Sequence, residues 1–210
     1  MSLWPRAKDT AGARKAWTAA RTAWERLQTV AVETFPELKK TIDGSSVAPT
    51  GFPAIATQLV ATGKPEVLVP AAEALRDQLS TLEKKVRETN FTAQGLYNGM
   101  ARLAFEISEI SSKSKSSKPT PMILIDMRAN FQGLAKLWET VFESPMEMVK
   151  READAKIDKD LTGLKRLLDA ADMSETDAQE VTKATERINA SLAESATALG
   201  LEPPKLAAQN

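Results

Sequence analysis

Two residue types are missing from the 210 residues of this sequence: it contains no cysteine and no histidine. Without cysteine there can be no disulfide, thiolate metal site or thiol nucleophile, although the redox compartment stays open because exported and cytosolic proteins can both lack it. Without histidine the chain lacks the commonest general base near neutral pH and the commonest transition-metal ligand. Serine–histidine and cysteine–histidine hydrolases are therefore excluded.

An excess of one charge and a long apolar run are also missing. Lysine plus arginine and aspartate plus glutamate number 28 each, so no overall attraction to nucleic acid is expected. No stretch approaches the roughly 20 apolar residues that cross a bilayer. The first residues, Met-Ser-Leu-Trp-Pro-Arg, lack the basic and apolar regions of a secretory signal. We therefore predict a chain that neither binds nucleic acid nor spans a membrane, and that is cytosolic or a mature domain with an added start methionine.

Glycine-rich phosphate loops are the third absence. Neither G-x-G-x-x-G nor G-x-x-x-x-G-K-[ST] occurs, which disfavours nucleotide chemistry. Carboxylates are then the realistic candidates for polar chemistry, and no catalytic constellation is recognisable among them. We predict a non-enzymatic protein without a cofactor, acting by binding.

Apolar side chains are present at the spacing of three and four residues that is typical of amphipathic helices. No segment alternates apolar and polar residues between turn signals, so strands are not expected. We predict an all-α fold, an antiparallel helical bundle, from seven helical segments and one extra short turn. The segments cover about 10–34, 49–63, 65–88, 92–111, 122–142, 145–168 and 175–199, and the short turn covers 37–42.

A polar run of serine and lysine over 111–121 interrupts this pattern and is predicted to form an exposed loop. Its Lys113, Lys115 and Lys118 are too few for lipid or nucleic-acid recognition. We treat 1–210 as a single domain, with possible sub-bundles over 9–112 and 121–201 that resemble two fused or packed four-helix bundles.

Two carboxylates sit where they could line a cleft. Glu106 lies beside the apolar stripe of its helix, and Asp126 interrupts an apolar run. Each can instead be a surface charge paired with Arg102 or Arg128, and the sequence leaves both readings open.

Several short motifs resemble the imelysin-like family, the peptidase-like domain also found in EfeO-type periplasmic iron-uptake proteins. They are Arg-Thr-Ala-Trp-Glu-Arg-Leu at 21–27, Glu-Thr-Phe-Pro-Glu-Leu at 33–38, Ile-Asp at 42–43, Thr-Gly-Phe at 50–52, Glu-Ile at 106–107 and Asn-Phe-Gln-Gly at 130–133. The resemblance spans most of the chain and implies a periplasmic or cell-envelope location, including lipoproteins.

The chain departs from that family at its proposed metal ligands. The Thr-Gly-Phe stretch falls where the family has Gly-Phe-His-x-x-Glu, so the two ligand positions correspond to Pro53 and Ala56, neither of which can bind a cation. By this resemblance Glu25, Glu106 and Asp126 are what remains of an acidic cleft. Three carboxylates without imidazole would suit a hard cation such as Ca²⁺ better than a transition metal.

Two hypotheses follow from these observations. The first is a non-catalytic envelope binding protein of the imelysin-like type, connected to iron uptake but degenerate at the metal motif, whose partner is an unknown ligand or envelope protein. The alternative is a structural or protein–protein interaction module without a metal role.

Overall fold

The computed structural model describes residues 10–44, 50–61, 65–113, 121–170 and 175–204, and every regular element in these ranges is helical. This confirms the predicted all-α helical bundle. The α-helices are α1 (Thr10–Thr34), α2 (Pro36–Asp43), α3 (Gly51–Ala61), α4 (Val69–Glu88), α5 (Ala93–Lys113), α6 (Pro121–Leu137), α7 (Glu143–Asp169) and α8 (Glu175–Ser195). The short helices are two 3₁₀ turns, Pro65–Leu68 and Ala196–Leu199, and a π-turn, Trp138–Phe142.

The chain divides into two compact units, Met1–Asn90 and Phe91–Asn210, called here the N-terminal and C-terminal units. The sequence analysis placed a possible boundary between sub-bundles at the polar run 111–121, whereas the two units of the structure meet at residue 90. Residues 114–120 of that run lie outside the described residues. In the structure α5, before that run, packs against α6 and α8, which follow it. The run is therefore internal to the C-terminal unit, because the apolar stripe of α5 is covered by the helices beyond it.

In the N-terminal unit, α1 to α4 pack on one another, and two glycines make their connection possible. Gly44 has φ +65° and Gly51 has φ +57°, which side-chain-bearing residues rarely adopt. A Cβ on Gly51 would lie 1.9 Å from the carbonyl oxygen of Ile42, and one on Gly44 would lie 2.1 Å from that of Thr50. The end of α2 and the start of α3 therefore approach each other as closely as only glycine allows.

The C-terminal unit is built around α5, whose inward side chains Met100, Leu103 and Ile107 are fully buried. α8 covers one side of this helix and α6 another, while α7 packs on α8. Complete burial of each such side chain stabilises the fold by about 1.5–3 kcal/mol.

The passage from α6 to α7 is irregular. The sequence predicts separate helices here, with Pro145 in the first turn of the second, whereas the structure runs from α6 through the π-turn directly into α7. Pro145 has no N–H to donate to the carbonyl four residues earlier, and π-turns commonly accompany such interruptions. A second break follows inside α7 at Lys150, whose φ of −157° and ψ of 72° are not helical.

Tyr97, the single tyrosine of the chain, joins α5 to two other elements of the C-terminal unit. Its hydroxyl donates a hydrogen bond to the Leu192 carbonyl oxygen at 2.8 Å, and its ring packs edge-on against Phe142 at 5.0 Å between centroids. Burial raises the pKa of the Tyr97 phenol well above its ordinary value.

We expect the Tyr97 phenol to ionise only as the protein unfolds. Since its folded pKa is raised, the associated stability is fully present below the unfolded pKa of about 10 and is lost as pH rises further. Alkaline titration should show tyrosinate absorbance appearing together with loss of the helical circular-dichroism signal. In guanidinium chloride the same absorbance should appear near pH 10. Ionisation near pH 10 with the helical signal intact would contradict this account.

Candidate functional site

Three of the motifs that carry the family resemblance in the N-terminal unit, 21–27, 42–43 and 50–52, meet in one cluster that also includes Trp17. It is called here the motif cluster: Trp17, Trp24, Asp43, Gly51 and Phe52. The Trp17 indole Nε1 donates to the Phe52 carbonyl oxygen at 3.1 Å, and the two rings pack edge-on at 6.3 Å. Trp17, Trp24 and Phe52 are buried. The cluster thereby fixes α1 against α2 and α3.

Asp43, the last residue of α2, is the polar centre of this cluster. One carboxylate oxygen accepts a hydrogen bond from the Trp24 indole Nε1 at 2.5 Å. The other forms an ion pair with Lys39 Nζ at 2.6 Å. Its charge is therefore used to fasten α2 to α1.

Glu25 lies in α1 of the N-terminal unit and is buried, with 7% of its surface exposed. Arg21 Nη2 lies 3.4 Å from one carboxylate oxygen, and the Gln28 amide donates to the other. Arg21 also lies over the Trp17 ring at 5.6 Å from the centroid. A carboxylate out of water needs such partners, so the predicted ligand Glu25 already has a counter-ion and a hydrogen-bond donor.

Pro53 and Ala56, the positions that correspond to the family's ligands, lie in the first turns of α3. Both are partly exposed, between the buried Phe52, Ala54 and Ile55. A pyrrolidine ring and a methyl group offer no donor atom to a cation. Pro53 and Ala56 are nevertheless three residues apart on one helix, so their side chains share a face as the two ligands of such a motif must.

The other two predicted ligands, Glu106 on α5 and Asp126 on α6, belong to the C-terminal unit, where these helices pack together. Glu106 pairs with Arg102 Nε at 3.3 Å, the ion-pair alternative that the sequence left open. Arg128 instead donates to the carbonyl oxygens of Leu168 and Ala170 at 2.6 and 2.9 Å, at the end of α7.

Within the ranges that the structure describes, no group of three or more aspartate, glutamate, cysteine or histidine side chains is arranged to hold a metal ion. Nor does any helix in those ranges have the length and apolarity needed to cross a membrane.

One set of candidate residues is absent from the sequence prediction: Glu143, Asp154 and Asp158 of α7, called here the acidic strip. With Glu139 and Glu147 they follow a spacing of four and seven residues, a signal of a shared helix face that the sequence does carry. The Trp138 indole Nε1 donates to Asp158 Oδ1 at 2.7 Å. Asp154 is buried, and its Oδ1 has no hydrogen-bond partner.

Two acids of the strip, Asp154 and Glu143, have a raised pKa. For Asp154 the causes are desolvation, then repulsion by Asp158 and Glu147, partly offset by Arg151. For Glu143 desolvation again comes first, followed by repulsion from Asp158, Asp154, Glu139 and Glu147, which together raise its pKa. Burial and repulsion therefore make the ionised form of Asp154 and of Glu143 less favourable than it is for a free carboxyl in water.

Fold and site together define an all-helical protein with an aromatic–carboxylate cluster in its N-terminal unit and an acidic strip in its C-terminal unit. No family model matches the sequence. The chain is similar to the iron uptake system component EfeM of Pseudomonas syringae pv. syringae (strain B728a), with 24% identity over 169 residues. The match covers 76% of this chain and 59% of that protein, so the chain spans about three fifths of the relative's length.

We expect the Trp24–Asp43 hydrogen bond to stabilise the N-terminal unit. Trp24→Phe and Asp43→Asn should each lower stability, and the double variant should lose less than the sum, with a coupling of about 1–2 kcal/mol. Urea unfolding followed by circular dichroism measures all four proteins. A matched pair without this contact, Trp17→Phe with Asp43→Asn, should be closer to additive. Strict additivity of the first pair would show that the hydrogen bond contributes nothing.

Neutralising Asp154 should stabilise the protein. Because its folded pKa is raised, its contribution is favourable at acidic pH and is lost as pH rises through the folded pKa. Asp154→Asn should therefore gain up to about 1 kcal/mol at pH 7. That gain should shrink towards pH 4, near the unfolded pKa of aspartate. The control Asp160→Asn removes a carboxylate that is paired with Arg187 at 3.1 Å, and it should give no gain in the same urea titration. Loss of stability in Asp154→Asn at pH 7 would contradict this.

Proposed function

We propose that this chain is a non-catalytic binding component of a bacterial iron-uptake system, located in the periplasm or cell envelope, imelysin-like in type and degenerate at the metal motif. The observation that carries the proposal is the similarity to EfeM, a component of such a system by name, over 169 residues. Lipid anchoring belongs to the proposal and rests on the family resemblance alone.

The geometry of the motif cluster supports binding without metal chemistry in the N-terminal unit. Asp43 is engaged by Trp24 and Lys39, and Glu25 by Arg21 and Gln28. Pro53 and Ala56 bring no donor atom to the place where the family's ligands are expected. The motif residues in this chain therefore act in packing, and the protein takes part in uptake by contacting a ligand or an envelope partner.

The alternative is an interaction module with no part in metal transport. It is favoured by the Arg102–Glu106 ion pair, which engages a second predicted ligand. The two functions differ in the cell: only the first predicts that deleting the gene lowers uptake of radioactive iron under iron limitation. Uptake unchanged by deletion would favour the interaction module.

Restoring the motif tests the assignment of Pro53 and Ala56. We expect the unaltered chain to show no tight binding of Fe³⁺, Zn²⁺, Cu²⁺ or Ca²⁺ by isothermal titration calorimetry. The double variant Pro53→His/Ala56→Glu should gain affinity for Zn²⁺ by about tenfold or more over the unaltered chain. It adds an imidazole and a carboxylate ligand, and a tenfold change requires only roughly 1.4 kcal/mol.

The control for that experiment is Thr57→His, which places one imidazole on an exposed position of the same helix without a carboxylate at the matching turn. It should bind Zn²⁺ more weakly than the double variant. Nanomolar binding of a transition metal by the unaltered chain would overturn the proposed loss of the metal motif. Equal Zn²⁺ binding by the double variant and Thr57→His would show that positions 53 and 56 are not special as ligand positions.

A further inference from the structure

An open cleft between α6 and α7 of the C-terminal unit is lined by apolar, neutral polar and charged side chains. We propose that it binds a small organic carboxylate, whose apolar body lies on the cleft floor and whose charged group lies between Lys136 and Lys165. This inference stands apart from the iron-uptake proposal, because neither its evidence nor its test involves iron.

The floor of the cleft is apolar. Phe131 and Ala135 of α6 and Leu161 of α7 line it. Phe131 is 8% exposed and Leu161 7%, so both are anchored in the core and expose only a small part of their surface. Because covering this surface removes it from water, an apolar ligand group is favoured here. The cleft volume of about 360 Å³ also lies within the roughly 300–1,000 Å³ that small-molecule sites occupy.

Two lysines stand at the rim of the cleft, one from each helix. Lys136 and Lys165 both line it, and their side chains are 68% and 61% exposed. Glu139 of the π-turn lines it too, so two ammonium groups against one carboxylate leave one positive charge. An excess positive charge beside an apolar floor is complementary to an amphipathic anion.

The lysines have acidic neighbours, but these contacts are weak. Lys136 Nζ lies 3.1 Å from Glu139, and Lys165 Nζ lies 2.5 Å from Asp169, which does not line the cleft. All four side chains are more than 60% exposed, and water and salt screen ion pairs of this kind. A ligand carboxylate can therefore share or replace these partners at little cost.

Each helix also brings one neutral polar group to the cleft, Gln132 from α6 and Thr162 from α7. The hydroxyls of Thr140 and Thr182 each donate to the carbonyl oxygen four residues earlier. The side chains of Gln132 and Thr162 form no hydrogen bond with any residue that the structure describes. Their donors are therefore available to a bound ligand oxygen.

The rim groups indicate a carboxylate as the charged part of the ligand. A carboxylate carries a single negative charge, and its two oxygens can accept hydrogen bonds from both lysines. The described residues that line the cleft include no arginine, whose planar fork would favour a phosphate group through two parallel hydrogen bonds. The charge of a carboxylate also equals the excess charge of the lining.

The surroundings favour a free small molecule over a polypeptide. A docked polypeptide would need further apolar surface beside the cleft. The most exposed large apolar side chains of the described chain lie elsewhere, and they are Leu27, Val67, Val69, Met148 and Val149. The ligand is therefore one that the cleft alone can hold.

The probe is cinnamate, a planar aromatic carboxylate, and its match is cinnamamide, which has the same apolar body without the charge. Methyl NMR titration of the whole chain is done in about 150 mM salt, where surface attraction is screened beyond about 8 Å. We expect cinnamate to bind with a dissociation constant of about 1 mM or below, as for an efficient ligand of its size. Cinnamamide should bind about fivefold or more weakly, because it lacks the charge-assisted hydrogen bonds. The methyl signals of Ala135 and Leu161 should shift on binding.

Variants locate the binding. Lys136→Gln/Lys165→Gln should weaken cinnamate about fivefold or more and leave cinnamamide unchanged, because only the charged contacts are lost. The control Lys156→Gln/Lys183→Gln removes two lysines of similar exposed ion pairs from outside the cleft, and it should change the affinity less than twofold. Ala135→Leu fills the floor and should weaken both ligands. Circular dichroism checks that each variant is folded.

Any of three results would refute the proposal. The first is no binding of cinnamate, or equal binding of cinnamate and cinnamamide. The second is equal weakening of cinnamate by the cleft lysine variant and its control, which would show only general charge attraction. The third uses a blocked acidic peptide, Asp-Leu-Leu-Asp-Leu-Leu. If it binds more tightly than cinnamate and is lost in Ala135→Leu, the cleft belongs to a polypeptide.

Discussion

Burial of α5 is the constraint on which the C-terminal unit depends. Met100, Leu103, Ala104 and Ile107 have no exposed surface, so this helix must be covered on more than one side. α6 and α8 provide the cover, although the polar run 111–121 separates both from α5 in the sequence. α7 in turn packs on α8.

Some buried polar groups in this structure have hydrogen-bond partners and others do not. The indole N–H groups of Trp17 and Trp24 and the hydroxyl of Tyr97 all have acceptors, and each joins elements distant in sequence. Such satisfied contacts define a scaffold, since a buried polar group is tolerated when it is hydrogen-bonded. Asp154 is the opposite case: it is buried among like charges with one oxygen unpartnered.

Particular residues show how far the sequence alone could lead. Periodicity was sufficient for the helices, including the short turn that became α2, because the pattern reports one buried face per helix. The motif segments were recognisable as separate stretches, but the sequence did not show how they meet. In the motif cluster Trp24 contacts Asp43, 19 positions away, and Trp17, which lies outside the motifs, contacts Phe52, 35 positions away. The acidic strip was overlooked because its spacing is also that of an ordinary solvated helix face.

By itself the sequence determined the chemistry that this protein lacks and the helical class of its fold. Composition fixes which ligands and nucleophiles exist, and helical periodicity is local. Only the tertiary structure decided that α5 belongs with the helices after the polar run, that Trp24 meets Asp43, and that Asp154 is buried without a hydrogen bond to Oδ1. Those outcomes depend on which faces meet in space, and the distances between them are set by packing of residues far apart in the chain.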